Sequence, residues 1–168
     1  MVCYSYSKSL SLPGERIGYL VIPSEMDESA NVFQAATIAN RVLGCVNAPS
    51  LMQRVIKRCV DANVNLEAYD RNRNLLYNGL KECGFSCIKP EGAFYVMMNM
   101  TGFIGKTMYG KVIESAEDFS QLFLEKGLVA TVPCTAFAAP GFVRWSYATS
   151  LTEIDKGLDR LEVFIKNA

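Results

Sequence analysis

The chain has 168 residues, 50% of them hydrophobic, and its 17 basic residues balance 17 acidic ones. This length suits one domain or slightly more with a sizeable core, and the balanced charge gives no footprint for a nucleic acid or a membrane surface. No apolar run reaches membrane-spanning length and the N-terminus lacks the basic-then-apolar order of a signal peptide, so we expect a cytoplasmic protein.

In the first half of the chain, the pattern predicts two short strands followed by helices. Short apolar runs predict strands over 2–8 and 16–22. Apolar residues at helical spacing then predict helices over 27–43, 51–61 and 65–83. Ser50 and Gln53 form a capping box for the second helix, and Gly84 fits the end of the third. Residues 61–64 are interpreted as a kink between helices.

In the second half, strands alternate with helices. Strands are predicted over 87–88, 93–100, 128–133 and 142–148, and helices over 115–126 and 151–166. Ser115 and Ser150 each begin a capping-box sequence. Residues 101–111, rich in glycine and small residues, are interpreted as a mobile loop. This order predicts an α/β fold that ends in a two-layer domain, with helices on one face of a sheet.

Cysteine and histidine usage narrows the chemistry. The six cysteines form no C-x-x-C pair, and the chain has no histidine. We therefore expect reduced, structural thiols and no metal site. Histidine-based catalytic triads and Cys/His zinc sites are excluded, so a general base near neutral pH would be a lysine, a carboxylate, a tyrosine or a thiol.

The strongest local signal places Lys8 and Arg16 on the two sides of a Ser-Leu-Pro-Gly loop, with Ser5 and Ser7 beside the lysine. The planar guanidinium of Arg16 can bind two phosphate oxygens at once, and the serine hydroxyls can donate to the same anion. A lysine attacks a carbonyl only as the neutral amine, which apolar walls or a nearby cation favour. The alternative is a lysine on a surface loop beside a strand.

Residues 5–19 follow the pattern S-x-S-K-x(7)-R-x-G-Y. This pattern resembles the Schiff-base lysine signature of class I and II pyridoxal-phosphate aminotransferases of fold type I. The resemblance implies that Lys8 is the catalytic lysine that bonds pyridoxal 5′-phosphate, and that Ser5, Ser7 and Arg16 bind the cofactor, with Ser5 and Arg16 at its phosphate. In that family the lysine lies past the middle of the chain, so the sequence resembles the C-terminal part of an aminotransferase.

Further segments resemble the same family in the same order. Residues 90–95 (Pro-Glu-Gly-Ala-Phe-Tyr) match a strand entry, and residues 127–137 match a segment in which Cys134 replaces the usual glycine. Ala138 replaces another glycine, and both changes affect the expected substrate pocket. Residues 141–148 resemble the strand that carries the arginine for the substrate carboxylate, here Arg144. Because an unpaired charge is costly in an apolar strand, the alternative for Arg144 is a structural salt bridge.

The resemblance implies an organisation and a function. Residues 1–48 would end a large cofactor domain, 49–84 would form linking helices, and 85–168 would form the small domain. The implied protein is a homodimeric aminotransferase that moves an amino group between an amino acid and a 2-oxo acid. The alternatives are a pyridoxal-phosphate lyase or decarboxylase on the same scaffold, and a non-catalytic module that only packs against a large domain or a second subunit. The chain alone is expected to be inactive and to form oligomers through exposed apolar faces.

Overall fold

The computed structural model describes residues 1–167 and separates into two units, Met1–Asn65 and a second unit from Leu66 onward. The helices are α1 Tyr6–Ser9, α2 Ser29–Val42, α3 Ser50–Cys59, α4 Leu66–Glu82, α5 Ala116–Leu122 and α6 Leu151–Lys166. The strands are β1 Val2–Ser5, β2 Gly18–Val21, β3 Cys87–Ile88, β4 Tyr95–Asn99, β5 Thr107–Met108, β6 Lys111–Val112, β7 Val132–Pro133 and β8 Phe142–Ser146. Within residues 1–167, none of the helices combines the length and the apolar character needed to cross a membrane.

The first unit begins with an antiparallel hairpin of β1 and β2, in register from Val2 opposite Val21 to Ser5 opposite Gly18. Position 18 requires glycine, because a Cβ there would lie 2.3 Å from the carbonyl oxygen of Tyr4. The predicted strand over 2–8 is wrong in its second half, where α1 forms a single helical turn. The Ser5 hydroxyl accepts a hydrogen bond from the Ser7 amide at 3.2 Å and so caps this turn instead of extending the strand.

Two longer helices, α2 and α3, complete the first unit. The predicted capping role of Ser50 is wrong, because Ser50 is itself the first helical residue and Pro49 precedes it. The Gln53 side chain instead donates to the carbonyl of Ala48 at 2.8 Å. The predicted kink at 61–64 is a non-helical connection that separates α3 from α4.

The second unit is built on a four-stranded antiparallel sheet in the order β3-β4-β8-β7. Strand residues alternate between the two faces of a sheet, and one face is buried along both central strands, through Val96, Met98, Val143 and Trp145. The buried side chains of α4, α5 and α6 join the same apolar core as this face. The prediction of a two-layer α/β domain with helices on one face of a sheet is therefore confirmed.

Local sequence signals set the ends of these helices. Ser115 and Ser150 cap α5 and α6 as predicted, since each hydroxyl accepts from the amide three residues on, at 3.1 Å and 3.3 Å. Gly84 ends α4 with φ of 88°, and the amides of Gly84 and Phe85 bond back to Lys81 and Leu80.

The structure adds two details to the predictions for the second unit. Residues 101–111, predicted to be a mobile loop, contain a short 3-10 turn and most of the hairpin of β5 and β6, with Met108 buried, and their mobility stays a prediction. The predicted strand over 128–133 shortens to β7. A five-residue π-turn, Phe123–Gly127, continues α5, and Leu128 then adopts the left-handed conformation with φ of 55°. Arg160 holds this bend by donating to the Leu128 carbonyl at 3.0 Å.

Candidate active site

Lys8 and Arg16 lie at the same end of the first hairpin. Lys8 is in α1, directly after β1, and Arg16 stands two residues before β2. The pair of Ser5 and Gly18 closes the strand ladder at this end, and the Tyr6 amide donates to the Ile17 carbonyl at 3.1 Å just beyond it. The hairpin therefore brings both cationic side chains of the motif to one end of one element.

The two serines of the motif interact directly. The Ser5 hydroxyl donates to the Ser7 hydroxyl at 2.9 Å, while it accepts from the Ser7 amide. Ser5 is exposed and Ser7 is half-buried. Two hydroxyls thus lie side by side next to Lys8, where they can turn their protons toward an anion.

Arg16 is held in an unusual backbone conformation. Its φ of 52° and ψ of 50° lie in the left-handed region, which costs a non-glycine residue roughly 1–2 kcal/mol. Its guanidinium Nη1 donates to the Pro13 carbonyl at 2.8 Å, across the 3-10 turn Pro13–Glu15. Arg16 is exposed, and its fork geometry suits a phosphate group.

Three tyrosine rings gather on the same hairpin. Tyr4 and Tyr19 lie opposite each other and stack with centroids 5.1 Å apart, and Tyr6 contacts both rings at 5.6 Å and 5.7 Å. The register of β1 and β2 creates the pair of Tyr4 and Tyr19, and the helical turn α1 adds Tyr6. The rings provide an aromatic surface on the element that carries the motif.

Lys8 itself is exposed, whereas Tyr6, Leu10 and Leu12 are half-buried. The Lys8 amine, the Arg16 guanidinium and the hydroxyls of Ser5 and Ser7 together suit a ligand that has both a carbonyl and a phosphate. The residues of this hairpin end therefore fit pyridoxal phosphate in chemical type.

Arg144 lies in the second unit, on β8, and is half-buried. Its guanidinium carbon lies 4.2 Å from the ring centroid of Tyr95 and 4.6 Å from that of Phe137. Its Nε is buried and has no hydrogen-bond partner in the structure. In residues 1–167 no carboxylate forms a salt bridge with it.

Cys134 is buried beneath the same region. Its Sγ lies 3.6 Å from the Met97 Sδ, and Met97 is the residue directly opposite Arg144 in the sheet. Burial raises the pKa of the Cys134 thiol, although the charge of Arg144 opposes this shift. Ala138 adopts φ of 56°, a conformation that favours glycine.

Tyr147 fixes the end of the sheet next to these residues. Its amide donates to the Phe94 carbonyl at 2.9 Å and its hydroxyl donates to the Ala93 carbonyl at 3.0 Å. Burial raises the pKa of the Tyr147 hydroxyl above its usual range, so it remains a donor at neutral pH. Tyr147 therefore fixes the start of β4, where Tyr95 meets Arg144.

The structure brings together Ser5, Ser7, Lys8 and Arg16 within the first unit and presents Arg144 within the second. Sequence reasoning missed the rings of Tyr95 and Phe137, which contact Arg144. The signal for Tyr95 is the alternation of the two central strands, since it lies on the same sheet face as Arg144.

Comparisons with a family model, with curated proteins and with solved structures all match aminotransferases. The family model "Aminotransferase class I and II" matches residues 1–161. An aspartate aminotransferase of Rhizobium meliloti is 35% identical over 92% of the chain, and a probable aspartate/prephenate aminotransferase of Rickettsia felis is 34% identical over 93%. An aminotransferase structure from Eubacterium rectale covers 98% of the chain with a TM-score of 0.77 and 40% identity. The chain spans 38% of the length of each of these three proteins.

Proposed function

The chain belongs to the class I and II aminotransferases, and from this we propose that its protein is a pyridoxal-phosphate enzyme that moves an amino group between an amino acid and a 2-oxo acid. The observation that carries the proposal is the grouping of Ser5, Ser7, Lys8 and Arg16 at one end of one hairpin. Enzymes of this family in general depend on pyridoxal phosphate.

Lys8 is the proposed catalytic residue. Its amine would hold the aldehyde carbon of the cofactor. Bound pyridoxal phosphate supplies an electron sink for negative charge at the α-carbon of the amino acid. Once released, the Lys8 amine would carry a proton to or from that α-carbon as a general acid and base. Lys8 lies in the one-turn helix α1, which begins directly after the capping residue Ser5. This turn fixes the backbone from which the Lys8 side chain extends.

Arg16, Ser5 and Ser7 are the proposed phosphate ligands. The guanidinium of Arg16 offers two parallel donors and a permanent charge, which suits a phosphate dianion. The Ser5 and Ser7 hydroxyls lie 2.9 Å apart at the same hairpin end. Ser7 can donate to the phosphate directly, and Ser5 would do so by turning its proton from Ser7 to the phosphate. Together they would hold the cofactor in the orientation that Lys8 requires.

Arg144 is the proposed ligand of the substrate α-carboxylate. Every amino acid and every 2-oxo acid carries this group, so one arginine serves both half-reactions. No described carboxylate competes for its charge, which supports a ligand role over a structural ion pair. The names of the relatives make aspartate the first amino acid to test.

We further propose a cytoplasmic homodimer. Exposed apolar side chains on α2, namely Phe33, Ile38 and Val42, support association with further protein surface. The six cysteines are free thiols, which suits a reducing compartment.

Transamination by the full-length protein, expressed from its complete reading frame, tests the proposal. We expect turnover of aspartate with a 2-oxo acid, and borohydride reduction should fix the cofactor to the peptide that carries Lys8. Lys8→Ala should abolish both signals while leaving the melting temperature unchanged. Lys89→Ala is the matched control, because Lys89 is an exposed lysine outside the motif. Turnover by Lys8→Ala at the wild-type rate would refute the assignment.

A further inference from the structure

We infer that Tyr95 and Phe137 are positioning residues that hold the Arg144 guanidinium for the substrate carboxylate through its contact with their two aromatic rings. The inference rests on the proposed function and gives a role to two residues for which the resemblance assigned none. It concerns only the second unit, where all three side chains lie.

The geometry is that of a cation placed over ring faces. The guanidinium carbon lies 4.2 Å from the Tyr95 centroid and 4.6 Å from the Phe137 centroid, well within the roughly 6 Å at which such contacts attract. The rings come from different elements, since Tyr95 is in β4 and Phe137 ends the 3-10 turn Thr135–Phe137. Rings from two different elements therefore contact one guanidinium and restrict a side chain that otherwise has many rotamers.

The sheet register fixes the first of these contacts. Arg144 pairs directly with Met97, and Tyr95 pairs with Ser146, so Tyr95 is the diagonal neighbour of Arg144 on the same face. Tyr147 secures that end of β4 through its two hydrogen bonds to Ala93 and Phe94. Tyr95 therefore cannot move away from Arg144 without disturbing the ladder.

Rings orient a guanidinium without neutralising it. A carboxylate partner would also fix Arg144, but it would occupy the donors that a substrate needs and cancel the charge. Aromatic faces attract the guanidinium without accepting conventional hydrogen bonds from it, so its N–H groups stay available for other acceptors. The unpartnered Nε and the lack of a salt bridge within residues 1–167 agree with an arginine kept charged for a ligand.

The competing explanation is that both rings only pack the sheet. Packing predicts that replacing a ring lowers stability and affects all substrates alike. Positioning predicts a loss confined to substrates with a carboxylate, and rescue by any residue that keeps the ring. The two explanations therefore differ in substrate selectivity and in the effect of conservative variants.

The kinetic test uses Tyr95→Leu and Phe137→Leu in the full-length protein. We measure kcat/KM for the best amino-acid substrate and for its decarboxylated amine. Each variant should lower the ratio of the two values by roughly two- to thirtyfold, the range expected for one such contact, mainly through KM. Tyr95→Phe and Phe137→Tyr keep the ring and should restore the ratio. Tyr77→Leu is the matched control, since Tyr77 makes a similar contact with Lys81 instead of Arg144.

A mutant cycle tests whether the rings act through Arg144. In an Arg144→Met background, which removes the cation, Tyr95→Leu should have no further effect on the substrate ratio. Equal losses with both substrates, or a Tyr95→Phe variant as poor as Tyr95→Leu, would overturn the inference.

A binding measurement separates this inference from the proposed function. In the full-length protein with 15N-labelled arginine, butanoate should shift the Arg144 Nε–H signal, and butanamide should not. Tyr95→Leu should weaken the butanoate response. An absence of turnover with this response intact would refute only the aminotransferase proposal, whereas the absence of a butanoate shift in the wild type would overturn the positioning role.

Discussion

Arg144 combines a structural cost with a proposed binding role. It places a permanent charge on a strand whose neighbours Val143 and Trp145 are buried in the core. No acidic side chain in residues 1–167 forms a salt bridge with Arg144. Its guanidinium contacts the aromatic rings of Tyr95 and Phe137 instead. Partial burial of a charge costs free energy, and a carboxylate ligand that accepts hydrogen bonds from the Arg144 guanidinium would offset that cost.

Replacement of Arg144 by lysine tests this balance. Arg144→Lys keeps the charge but loses the planar pair of donors. Since a hydrogen bond to a charged group contributes roughly 1.5–3 kcal/mol, we expect kcat/KM for an amino acid to fall by roughly tenfold to a hundredfold. The decarboxylated amine should be turned over as before, and the melting temperature should stay unchanged. A lower melting temperature with equal losses on both substrates would identify a structural role for Arg144 instead of a ligand role.

Asp118 offers a test of electrostatics away from the site. Its carboxylate accepts from Lys111 at 2.9 Å, from the Ser115 hydroxyl at 2.9 Å and from the Glu114 amide at 3.2 Å. These bonds, with Lys111 first and Ser115 next, hold the pKa of Asp118 below its usual value. The stabilisation is therefore present above the unfolded-state pKa of about 3.9 and is lost as the pH falls through the lower folded-state pKa.

We expect Asp118→Asn to be less stable than the wild type at pH 7. Urea unfolding measures the free energy of unfolding of both proteins. The difference between them should shrink steadily as the pH falls below about 4, because protonation of Asp118 then removes the same interaction from the wild type. Glu117→Gln, at the exposed neighbouring position, is the control and should show no such convergence. A gap that stays constant down to pH 2 would contradict the role of the carboxylate charge.

At the scale of single residues, the sequence was sufficient to nominate Ser5, Ser7, Lys8, Arg16 and Arg144, and their functional roles stay predictions. Residue type and spacing were sufficient because the expected chemistry needs a lysine amine, an arginine for a phosphate and an arginine for a carboxylate, and these occur in the order of the family motifs. The contact of Phe137 with Arg144 could not be predicted, because it depends on the 3-10 turn that follows β7. A nonlocal contact of this kind has no signature in spacing.

Among the elements, α4 and α6 approach each other closely at Gly79. A Cβ at this position would lie 2.3 Å from the Leu158 Cδ1 and 3.1 Å from its Cγ. Glycine in the middle of a helix is normally unfavourable by roughly 1 kcal/mol relative to alanine. Its presence in α4 is explained by the contact with α6.

Gly79→Ala should therefore destabilise the protein despite the better helix propensity. Overpacking of this kind costs roughly 1–3 kcal/mol, which exceeds the propensity gain. The double variant Gly79→Ala with Leu158→Ala should show coupling, so that the added methyl becomes neutral or favourable once the Leu158 side chain is removed. Denaturant unfolding of the four proteins of this cycle measures the coupling. Higher stability of the single variant Gly79→Ala would show that Leu158 moves aside freely.

Helix starts were better predicted than strand ends, for a physical reason. Ser115 and Ser150 act through their own first turns, so the signal is local. Strand extent depends on a partner and on competing local bonds, as in residues 6–9, where the Ser5 cap favours a helical turn. The same competition shortened the strand predicted before β7, where the π-turn and Arg160 shape the chain.

For the molecule as a whole, the alternation of strands and helices was enough to predict a two-layer α/β domain, because one buried sheet face requires a helical cover. The division into 1–48, 49–84 and 85–168 stays a prediction, and the structure groups α4 with the sheet from Leu66 onward. The chain spans 38–41% of the length of the first curated relatives that it matches. Surfaces that are exposed here therefore include candidates for contact with further protein.

The first unit carries the clearest of these surfaces. On α2, Ile38 is 61% exposed and Val42 is 81% exposed, and the two lie one turn apart on the same side of the helix. Exposed apolar side chains that adjoin in this way favour association. We expect the 168-residue chain to form oligomers at working concentration, and light scattering with analytical ultracentrifugation measures this.

Charge placed on α2 should reverse the association. Ile38→Glu with Val42→Lys adds two opposite charges four residues apart, which keeps the net charge and the helix while removing the apolar surface. This variant should sediment as a smaller species than the wild type. Val163→Glu is the control, because Val163 is 56% exposed on α6 in the other unit, and it should leave the assembly unchanged. A wild-type chain that is monodisperse and monomeric would show that α2 does not drive association, and the homodimer proposal would then lose its structural support.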